Sequence, residues 1–444
     1  MTTAIDSVEL TRVGPGTVMG QLMREYWIPA LLSSELTSGG APLRLMLLGE
    51  KLIAFRDTEG RVGVMDHRCP HRCASLFLGR NEEGGIRCVY HGWKFDVSGK
   101  CIDMPNVPPH QDFKHKVNAK AYRVVERAEL VWVYLGSRAK APSLPALEIL
   151  DVPNGEIGVS LIQRDCNYLQ ALEGDIDTSH FGFLHGGHVD PDDMREEDPF
   201  RHTIAIRAPK YHLADTAWGT QYAGYRPAGP GLTYWRFGNF LFPFWTQAPN
   251  GEFGDHVHGR AWVPLDDEHT MFFFLWWKRG ASAMTQPQPA FKDGTPIGGT
   301  GRRNNFLPNT TDWLGRWRLA ANASNDWGMD RGAQHKNVIY SGIDGIHLQD
   351  QAVTESMGSI VDHTLEHLAP SDQMITRTRR RLLTAARALR DKNVSPPGVE
   401  NVEVFRGARS GYFVSNDKNG WRDAYVEQLA LASRPQLTSL HPGQ

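Results

Sequence analysis

The alternation of hydrophobic and polar positions changes character along the chain. Residues 14–36 carry apolar side chains at helical spacing, which predicts a short amphipathic helix that Pro29 ends. Residues 43–136 instead form short alternating runs separated by Gly, Asp and Asn turns, a pattern typical of a compact all-β domain. The stretch 137–153 has the Pro and small residues of a linker, and the pattern beyond it mixes strands and helices.

Beyond this linker, strand patterns come before helical ones. Several strand candidates are continuously apolar, which favours a buried sheet; they are HTIAIRA (202–208), LTYWRFGNFLFPF (232–244), GRAWVPL (259–265) and TMFFFLWWK (270–278). Helical spacing follows in 345–361 and in 371–392, where Ser371 is the predicted N-cap. We therefore predict a helical segment over 1–42 that packs on the larger domain, a β domain over 43–145 and a mixed domain over 146–444.

The composition argues against several classes of function. The 444 residues are enough for two or three domains, and 48 basic against 50 acidic residues leave no excess for nucleic-acid binding. The longest apolar run, 271–277, is too short to span a membrane, and the N-terminus is too polar for a signal peptide. The five cysteines are sparse and odd in number, which fits a reducing compartment. We expect a soluble, cytoplasmic protein whose clustered cysteines bind metal or do redox work.

Two short boxes in the β domain combine cysteine with histidine. Cys69-Pro-His71 and Cys88-Val-Tyr-His91 together offer two thiolates and two imidazoles. A structural zinc ion takes the same ligands, although zinc modules usually pair like residues. Because each box here supplies one ligand of each type, the pattern favours a [2Fe–2S] cluster with cysteines on one iron and histidines on the other.

A second set of possible metal ligands lies in the mixed domain. Asp177-x-x-His180-x-x-x-x-His185 is followed much later by Asp350, and two histidines with one carboxylate can hold Fe(II) with positions open for dioxygen. On an ideal helix the two histidines project roughly 140° apart, so they meet one metal only if the helix bends or ends between them. Scattered buried histidines on a helix are the alternative.

The boxes CPHRCASL and CVYHGWKFD resemble those of the Rieske non-haem iron oxygenases, whose catalytic domains also carry the Asp-x-x-His-x-x-x-x-His pattern. LQALEGDIDTSHFGFLH suggests an α subunit of the phthalate dioxygenase-like branch. The resemblance implies an α+β fold, with a small all-β Rieske domain and a larger catalytic domain whose curved antiparallel sheet is covered by helices. It also implies two cofactors, a low-potential Rieske [2Fe–2S] cluster and a mononuclear Fe(II).

The resemblance further assigns residues to these cofactors. Cys69, His71, Cys88 and His91 would hold the cluster. His180 and His185 would bind the mononuclear iron with Asp350 as third ligand, Glu355 as second choice and Asp344 as third. Asp177 would bridge to a Rieske histidine, here His91, of a neighbouring subunit, which implies a homotrimer or a stacked hexamer.

The expected substrate is an aromatic carboxylate such as phthalate, isophthalate or a related benzoate. Arg207 and Arg236 lie in apolar surroundings and need an anionic partner, either a protein carboxylate or the substrate, and both resemble carboxylate-binding positions of the phthalate branch. A separate NAD(P)H-dependent flavin and iron–sulfur reductase would supply electrons for cis-dihydroxylation with O2. The alternatives are monooxygenation or O-demethylation at the same site, an electron-transfer protein without mononuclear iron, and a zinc-stabilised binding module.

Overall fold

The computed structural model of the chain describes residues 2–279, 288–416, 420–432 and 434. The last predicted boundary, at 444, lies outside these residues. The helices are α1 (Ala4–Thr11), α2 (Val18–Arg24), α3 (Tyr168–Ile176), α4 (Phe200–Ala205), α5 (Arg331–His335), α6 (Ile346–Ser356), α7 (Gln373–Lys392) and α8 (Trp421–Leu431).

The first part of the chain is built of antiparallel strands. They are β1 (Trp27–Leu32), β2 (Leu43–Leu47), β3 (Glu50–Arg56), β4 (Val62–Asp66), β5 (Arg80–Glu82), β6 (Gly85–Arg87), β7 (Lys94–Phe95), β8 (Cys101–Asp103), β9 (Ala121–Arg127) and β10 (Leu130–Tyr134). A six-stranded sheet has the order β1-β10-β9-β4-β3-β2, and a four-stranded sheet has the order β5-β6-β7-β8. The small sheet carries the second Cys/His box on the turn between β6 and β7.

The second part contains one large antiparallel sheet. Its strands are β11 (Gly158–Arg164), β12 (Lys210–Asp215), β13 (Gly219–Pro227), β14 (Leu232–Leu241), β15 (Trp245–Gln247), β16 (His256–Pro264), β17 (Thr270–Lys278) and β18 (Gly411–Asn416). The order is β11-β17-β16-β15-β14-β13-β12, with β18 also paired to β14. Residues of β16 are buried along its whole length, as the continuous apolar pattern predicts for a central strand.

Two local predictions were wrong. The run 202–208 was expected to be a strand, but its first residues belong to the short helix α4, because Pro199 and Phe200 start a helical turn there. Ser371 was expected to cap a helix, but it lies in a 3₁₀ turn and α7 begins after Asp372. The helix predicted within 345–361 is present as α6.

The segment before residue 43 contributes to both parts of the molecule. Helices α1 and α2 contact the long helix α7, and β1 pairs with β10 in the six-stranded sheet. Trp27, placed at a helical position by the sequence pattern, is the first residue of that strand. No helix among the described residues is long and apolar enough to cross a membrane.

Candidate active site

The two Cys/His boxes lie on two loops, and in each loop a later backbone N–H donates to the carbonyl of the cysteine. The N–H of Cys73 donates to the carbonyl of Cys69 at 2.8 Å, and the N–H of Gly92 donates to the carbonyl of Cys88 at 2.9 Å. Cys69 and Cys88, the candidate cluster ligands, are buried, at 1% and 3% exposure, in a hydrophobic cluster of this domain. The histidines of the two boxes are only half-buried. The sulfur side of the pair of boxes is therefore buried, and the imidazole side is partly exposed.

The two box histidines lie close together and are held by an aromatic neighbour. The ring centroids of His71 and His91 are 4.4 Å apart, and Trp93 stacks on His71 at 4.3 Å. The indole N–H of Trp93 donates to Asn106 Oδ1 at 2.7 Å, which fixes the indole plane. The buried Nδ1 of His91 has no hydrogen-bond partner among the described residues, as a metal-binding nitrogen requires.

The chemistry of the sulfurs also fits an iron–sulfur cluster. Burial raises the pKa of the Cys69 thiol to about 12, while backbone hydrogen bonds from His71 and Arg72 act in the opposite direction. Metal must therefore displace a firmly held proton, and the backbone N–H groups then stabilise the resulting thiolate. The residues present fit a [2Fe–2S] cluster.

The second set of candidate metal ligands begins at the C-terminal end of α3. Asp177 leaves the helix in an extended conformation, and its Oδ1 accepts a hydrogen bond from the N–H of Ser179 at 2.6 Å. Directly after His180 the chain forms one π-helical turn over Phe181–His185. A π turn closes over five residues, so it brings His180 and His185 together, with ring centroids 5.2 Å apart. The π turn therefore provides the bend that two histidines five residues apart need in order to meet at one metal.

Helix α6 supplies the carboxylate that faces both histidines. Asp350 Oδ1 lies 3.5 Å from His180 Nε2 and 3.1 Å from His185 Nε2. One ligand atom from each of the three residues falls within 4.8 Å of the others, which fits a single metal ion.

The two other carboxylate candidates do not join this group. Glu355 is buried and accepts hydrogen bonds from Trp327 Nε1 at 2.6 Å and from the N–H of Asp165 at 2.9 Å. Asp344 is exposed. The structure therefore brings Asp350, the first choice from the sequence, to the histidines.

The carboxylates create a site that favours positive charge. Burial lowers the pKa of His180, but hydrogen bonds to Asp177 and Asp350 outweigh it and raise the pKa to about 10. Burial would raise the pKa of Asp350, but the charges and hydrogen bonds of His185 and His180 hold it well below its ordinary value. A divalent cation at this point would meet the same favourable field.

A second cluster of possible metal ligands is already bound to an arginine of the protein. Atoms of Glu173, His363 and Glu366 also lie within 4.8 Å of one another. The guanidinium of Arg379 donates to Glu173 Oε1 at 2.6 Å and to Glu366 Oε2 at 2.6 Å. These carboxylates hold α7 against α3 through Arg379, and we assign no metal to them.

A cavity of about 330 Å³ opens beside the His180, His185 and Asp350 group. Aromatic side chains of the π turn, α4 and β17 line the cavity together with cationic and histidine side chains. The aromatic members are Phe181, Phe200 and Phe274, and the cationic and histidine members include Arg236, His256, Arg260, Lys278, Arg302 and His347.

The two arginines singled out in the sequence are separated by the structure. Arg236 of β14 lines the cavity, is 5% exposed, and donates from Nε to Thr178 Oγ1 at 3.2 Å. Arg207 does not line the cavity; its guanidinium lies 4.8 Å from the ring of Phe183, an exposed residue of the π turn. Only Arg236 of the two therefore lies at the cavity.

Family comparisons cover both parts of the chain. The Rieske [2Fe-2S] domain family matches residues 26–121, and the family described as LigXa C-terminal domain like matches residues 133–438, more than half of the chain. The chain belongs to the Rieske non-haem iron oxygenases. It carries a Rieske [2Fe–2S] domain, and the oxygenases of this family carry a mononuclear iron as well, so the predicted family, enzyme class and cofactors are confirmed.

Relatives with assigned names agree with this membership. The oxygenase is 52% identical to the 3-chlorobenzoate-3,4-dioxygenase oxygenase subunit of Comamonas testosteroni, over 96% of this chain and 98% of that protein. It is 34% identical to the phthalate 4,5-dioxygenase oxygenase subunit of Pseudomonas putida, over 95% of this chain and 94% of that protein. Among solved structures, a mutant of NdmA from Pseudomonas putida CBB5 with theobromine matches with a TM-score of 0.55 at 18% identity, covering 91% of this chain and all of that one. This likeness confirms the predicted fold of the oxygenase.

Several residues of the oxygenase cavity were missed by sequence reasoning. His256, His258 and Arg260 alternate along β16 and therefore share one face of the strand. His256 and Arg260 line the cavity, and the signal was visible as the period-two pattern in HVHGR. Gln349, whose Oε1 lies 2.6 Å from His185 Nδ1, gave no signal, because nothing in the sequence shows which histidine a buried amide will face.

Proposed function

We propose that this oxygenase cis-dihydroxylates an aromatic carboxylate with O2, in the class of 3-chlorobenzoate, phthalate or isophthalate. The observation that carries the proposal is the cavity, which joins three candidate iron ligands to an aromatic wall and a buried arginine. The names of the two relatives, a 3-chlorobenzoate and a phthalate dioxygenase subunit, support this substrate class.

Arg236 is the proposed partner of the substrate carboxylate. Its Nε is held by Thr178, and its guanidinium lies 4.9 Å from the ring of Phe181. Among the described residues, the hydrogen-bond partners of the Arg236 guanidinium are the hydroxyls of Thr178 and Tyr234, and neither is an anion. A buried guanidinium without a protein anion gains most from a ligand carboxylate, which it can bind through charge-assisted hydrogen bonds.

Two histidines that line the cavity, His256 and His347, are held in their neutral form. Burial, and after it the charges of Arg260 and Lys278, lower the pKa of His256 to about 3. Burial and Arg260 likewise lower the pKa of His347 to about 3. Both imidazoles are therefore neutral at pH 7 and stand in a positive field, where they can donate or accept a hydrogen bond without adding charge.

The ring of the substrate would lie against Phe181, Phe200 and Phe274. Phe181 and Phe200 already meet edge to face, with centroids 4.9 Å apart. Such a wall excludes water and presents flat apolar surface to a planar ligand. With substrate placed there, His180, His185 and Asp350 would hold the iron, which supplies dioxygen activation, while the Rieske cluster supplies electrons.

Electron entry is proposed to involve a second copy of the chain and a separate reductase. Asp177 is 19% exposed at its side chain, and His91 is half-buried beside the exposed Val89 and Tyr90. Both side chains keep some exposed surface, which a bridge between His91 of one copy and Asp177 of the next would need. We propose a homotrimer or a stacked hexamer, reduced by an NAD(P)H-dependent flavin and iron–sulfur protein.

The test is an oxygen-uptake screen of the purified oxygenase with a compatible reductase. Benzoates and benzenedicarboxylates should stimulate NAD(P)H-dependent uptake, whereas the corresponding carboxamides, which keep the ring and lose the charge, should not. Equal uptake with acid and amide would contradict the role given to the cationic side chains of the cavity. O-demethylated products from methoxybenzoates, without any cis-diol from other benzoates, would favour the monooxygenase alternative.

A further inference from the structure

Gln349 is a buried amide directly behind the proposed iron site. It is 1% exposed, lies on α6 immediately before Asp350, and its Oε1 lies 2.6 Å from Nδ1 of His185. The contact joins α6 to the π turn, two elements that are far apart in sequence. Gln349 therefore contacts one proposed iron ligand, His185, and is the sequence neighbour of another, Asp350.

The partners of the amide nitrogen fix the orientation of the whole side chain. Gln349 Nε2 donates to the backbone carbonyl of Ile343 at 2.8 Å and to Ser341 Oγ at 2.9 Å. A backbone carbonyl only accepts hydrogen bonds, so the nitrogen of the amide must face it. The oxygen is left facing His185, and the orientation cannot reverse without losing both donated bonds.

This orientation sets the proton on His185. Because Gln349 Oε1 can only accept, Nδ1 of His185 must carry the hydrogen. With that hydrogen on Nδ1, Nε2 is the nitrogen at which a metal can take the place of a proton, and it lies 3.1 Å from Asp350 Oδ1. The network selects the tautomer that binds a metal through Nε2.

The surroundings leave the amide little freedom. A Cβ added at Gly299, whose φ is +79°, would lie 2.6 Å from Gln349 Nε2 and would have to displace the amide. The hydroxyl of Ser341 in turn donates to Ile343 O at 3.2 Å and accepts from the N–H of Ile343 at 3.1 Å. Every polar atom of this small network has a partner.

The two proposed iron histidines thus have different supports. Nδ1 of His180 faces a carboxylate, Asp177, at 3.3 Å, whereas Nδ1 of His185 faces a neutral amide. A neutral acceptor orients the ring without adding a second negative charge behind the metal. We propose that Gln349 is a positioning residue, which fixes the ring and tautomer of His185 and thereby sets the affinity of the site for Fe(II). This inference rests on the proposed iron ligands.

The experiment compares Fe(II) affinity in variants of the full-length oxygenase. Gln349→Leu removes the acceptor, while Gln351→Leu makes the same chemical change two residues along α6, where the buried Gln351 donates to Glu355 Oε1 at 2.7 Å. Fe(II) dissociation would be followed with a chromogenic chelator, and the visible spectrum of the Rieske cluster would report an intact fold. Removal of such a supporting hydrogen bond weakens metal binding about 10- to 100-fold. We expect the Fe(II) affinity to fall about 10- to 100-fold in Gln349→Leu and less than about threefold in Gln351→Leu.

A conservative variant and a ligand variant complete the design. Gln349→Glu keeps an acceptor for His185 Nδ1, so its Fe(II) affinity should lie closer to the parent than that of Gln349→Leu. Wild-type affinity in Gln349→Leu, or equal losses in both leucine variants, would overturn the inference while leaving the iron site in place. His185→Ala should lose the mononuclear iron altogether; if it retains that iron, the proposed ligand set itself is wrong.

Discussion

Asp177 Oδ2 lies 3.3 Å from Nδ1 of His180, while Oδ1 of the same carboxylate accepts from the N–H of Ser179 at 2.6 Å. Although burial alone would raise it, the pKa of Asp177 is lowered, chiefly by its hydrogen bond with His180. One ionised group thus shapes the turn after α3 and contacts a proposed iron ligand. We proposed above that this group bridges to His91 of a neighbouring copy.

Asp177→Asn should separate electron transfer from metal binding. Asparagine can still accept from the N–H of Ser179, so the turn is kept, but the negative charge beside His180 is lost. With Fe(II) added in excess to saturate the mononuclear site, we expect both metal centres to be occupied and turnover to fall by about 100-fold. Iron content and single-turnover reoxidation of the reduced cluster would measure the two effects. Asp190→Asn, the same change at an exposed residue, is the control, and full activity in Asp177→Asn would refute the bridging role.

The third iron ligand can be assigned by counting iron. Asp350→Ala removes the carboxylate oxygen that lies 3.1 Å from His185 Nε2. The variant should keep the two irons of the Rieske cluster and lose the third, giving about two per chain instead of about three. Glu355→Gln should retain all of its iron, because Glu355 is engaged by Trp327 and Asp165. The opposite pattern would transfer the ligand role to Glu355.

Arg236→Gln should weaken the binding of carboxylated substrates. A lost charge-assisted hydrogen bond costs about 1.5–3 kcal/mol, so KM should rise roughly 10- to 100-fold. Arg207→Gln is the matched control, since Arg207 lies outside the cavity and should leave KM unchanged. Steady-state oxygen uptake over a series of substrate concentrations measures both. If the two variants behave alike, the carboxylate does not bind where we propose.

The neutral state of His256 should be visible in the pH dependence of stability. Its folded pKa of about 3 lies below the value near 6.5 of an unfolded histidine, so unfolding takes up a proton between these two values. The contribution of His256 to stability is fully present above about pH 6.5 and is lost as the pH falls towards 3.

His256→Gln should therefore reduce the slope of unfolding free energy against pH, by at most about 1.4 kcal/mol per pH unit within this window. Urea denaturation at several pH values between about 5 and 7 measures the slope, since stability is obtained by linear extrapolation. His110→Gln, at a histidine that solvent already surrounds, should leave it unaltered. Identical slopes in the parent and His256→Gln would show that His256 does not resist protonation in the folded chain.

The metal boxes could be predicted because their chemistry is local. Cys69 and His71, or Cys88 and His91, are separated by one or two residues, so their spacing alone indicates a shared site. The spacing of His180 and His185 showed that the helix must bend, but the π turn that provides the bend depends on packing. A Cβ on Gly186 would lie 2.0 Å from Ile204 Cδ1, a contact with α4 that no local pattern reveals.

The substrate side was harder to predict because it is assembled from distant strands. Arg207 and Arg236 look equivalent in sequence, since both are single arginines in apolar runs. The run around Arg207 follows helix α4, whereas Arg236 is central in β14, and only the strand points its side chain into the cavity. The partners of Gln349 lie 164 and 6 residues away, so its role required the folded structure.

Labelled oxygen provides the most direct test of the central claim, that this chain dihydroxylates an aromatic carboxylate. The reductase-coupled oxygenase would be supplied with 18O2 and the best substrate from the oxygen-uptake screen, and the product would be examined by mass spectrometry. We expect a cis-diol acid that carries two 18O atoms. A product with a single 18O atom, or labelled water without an oxygenated acid, would contradict it.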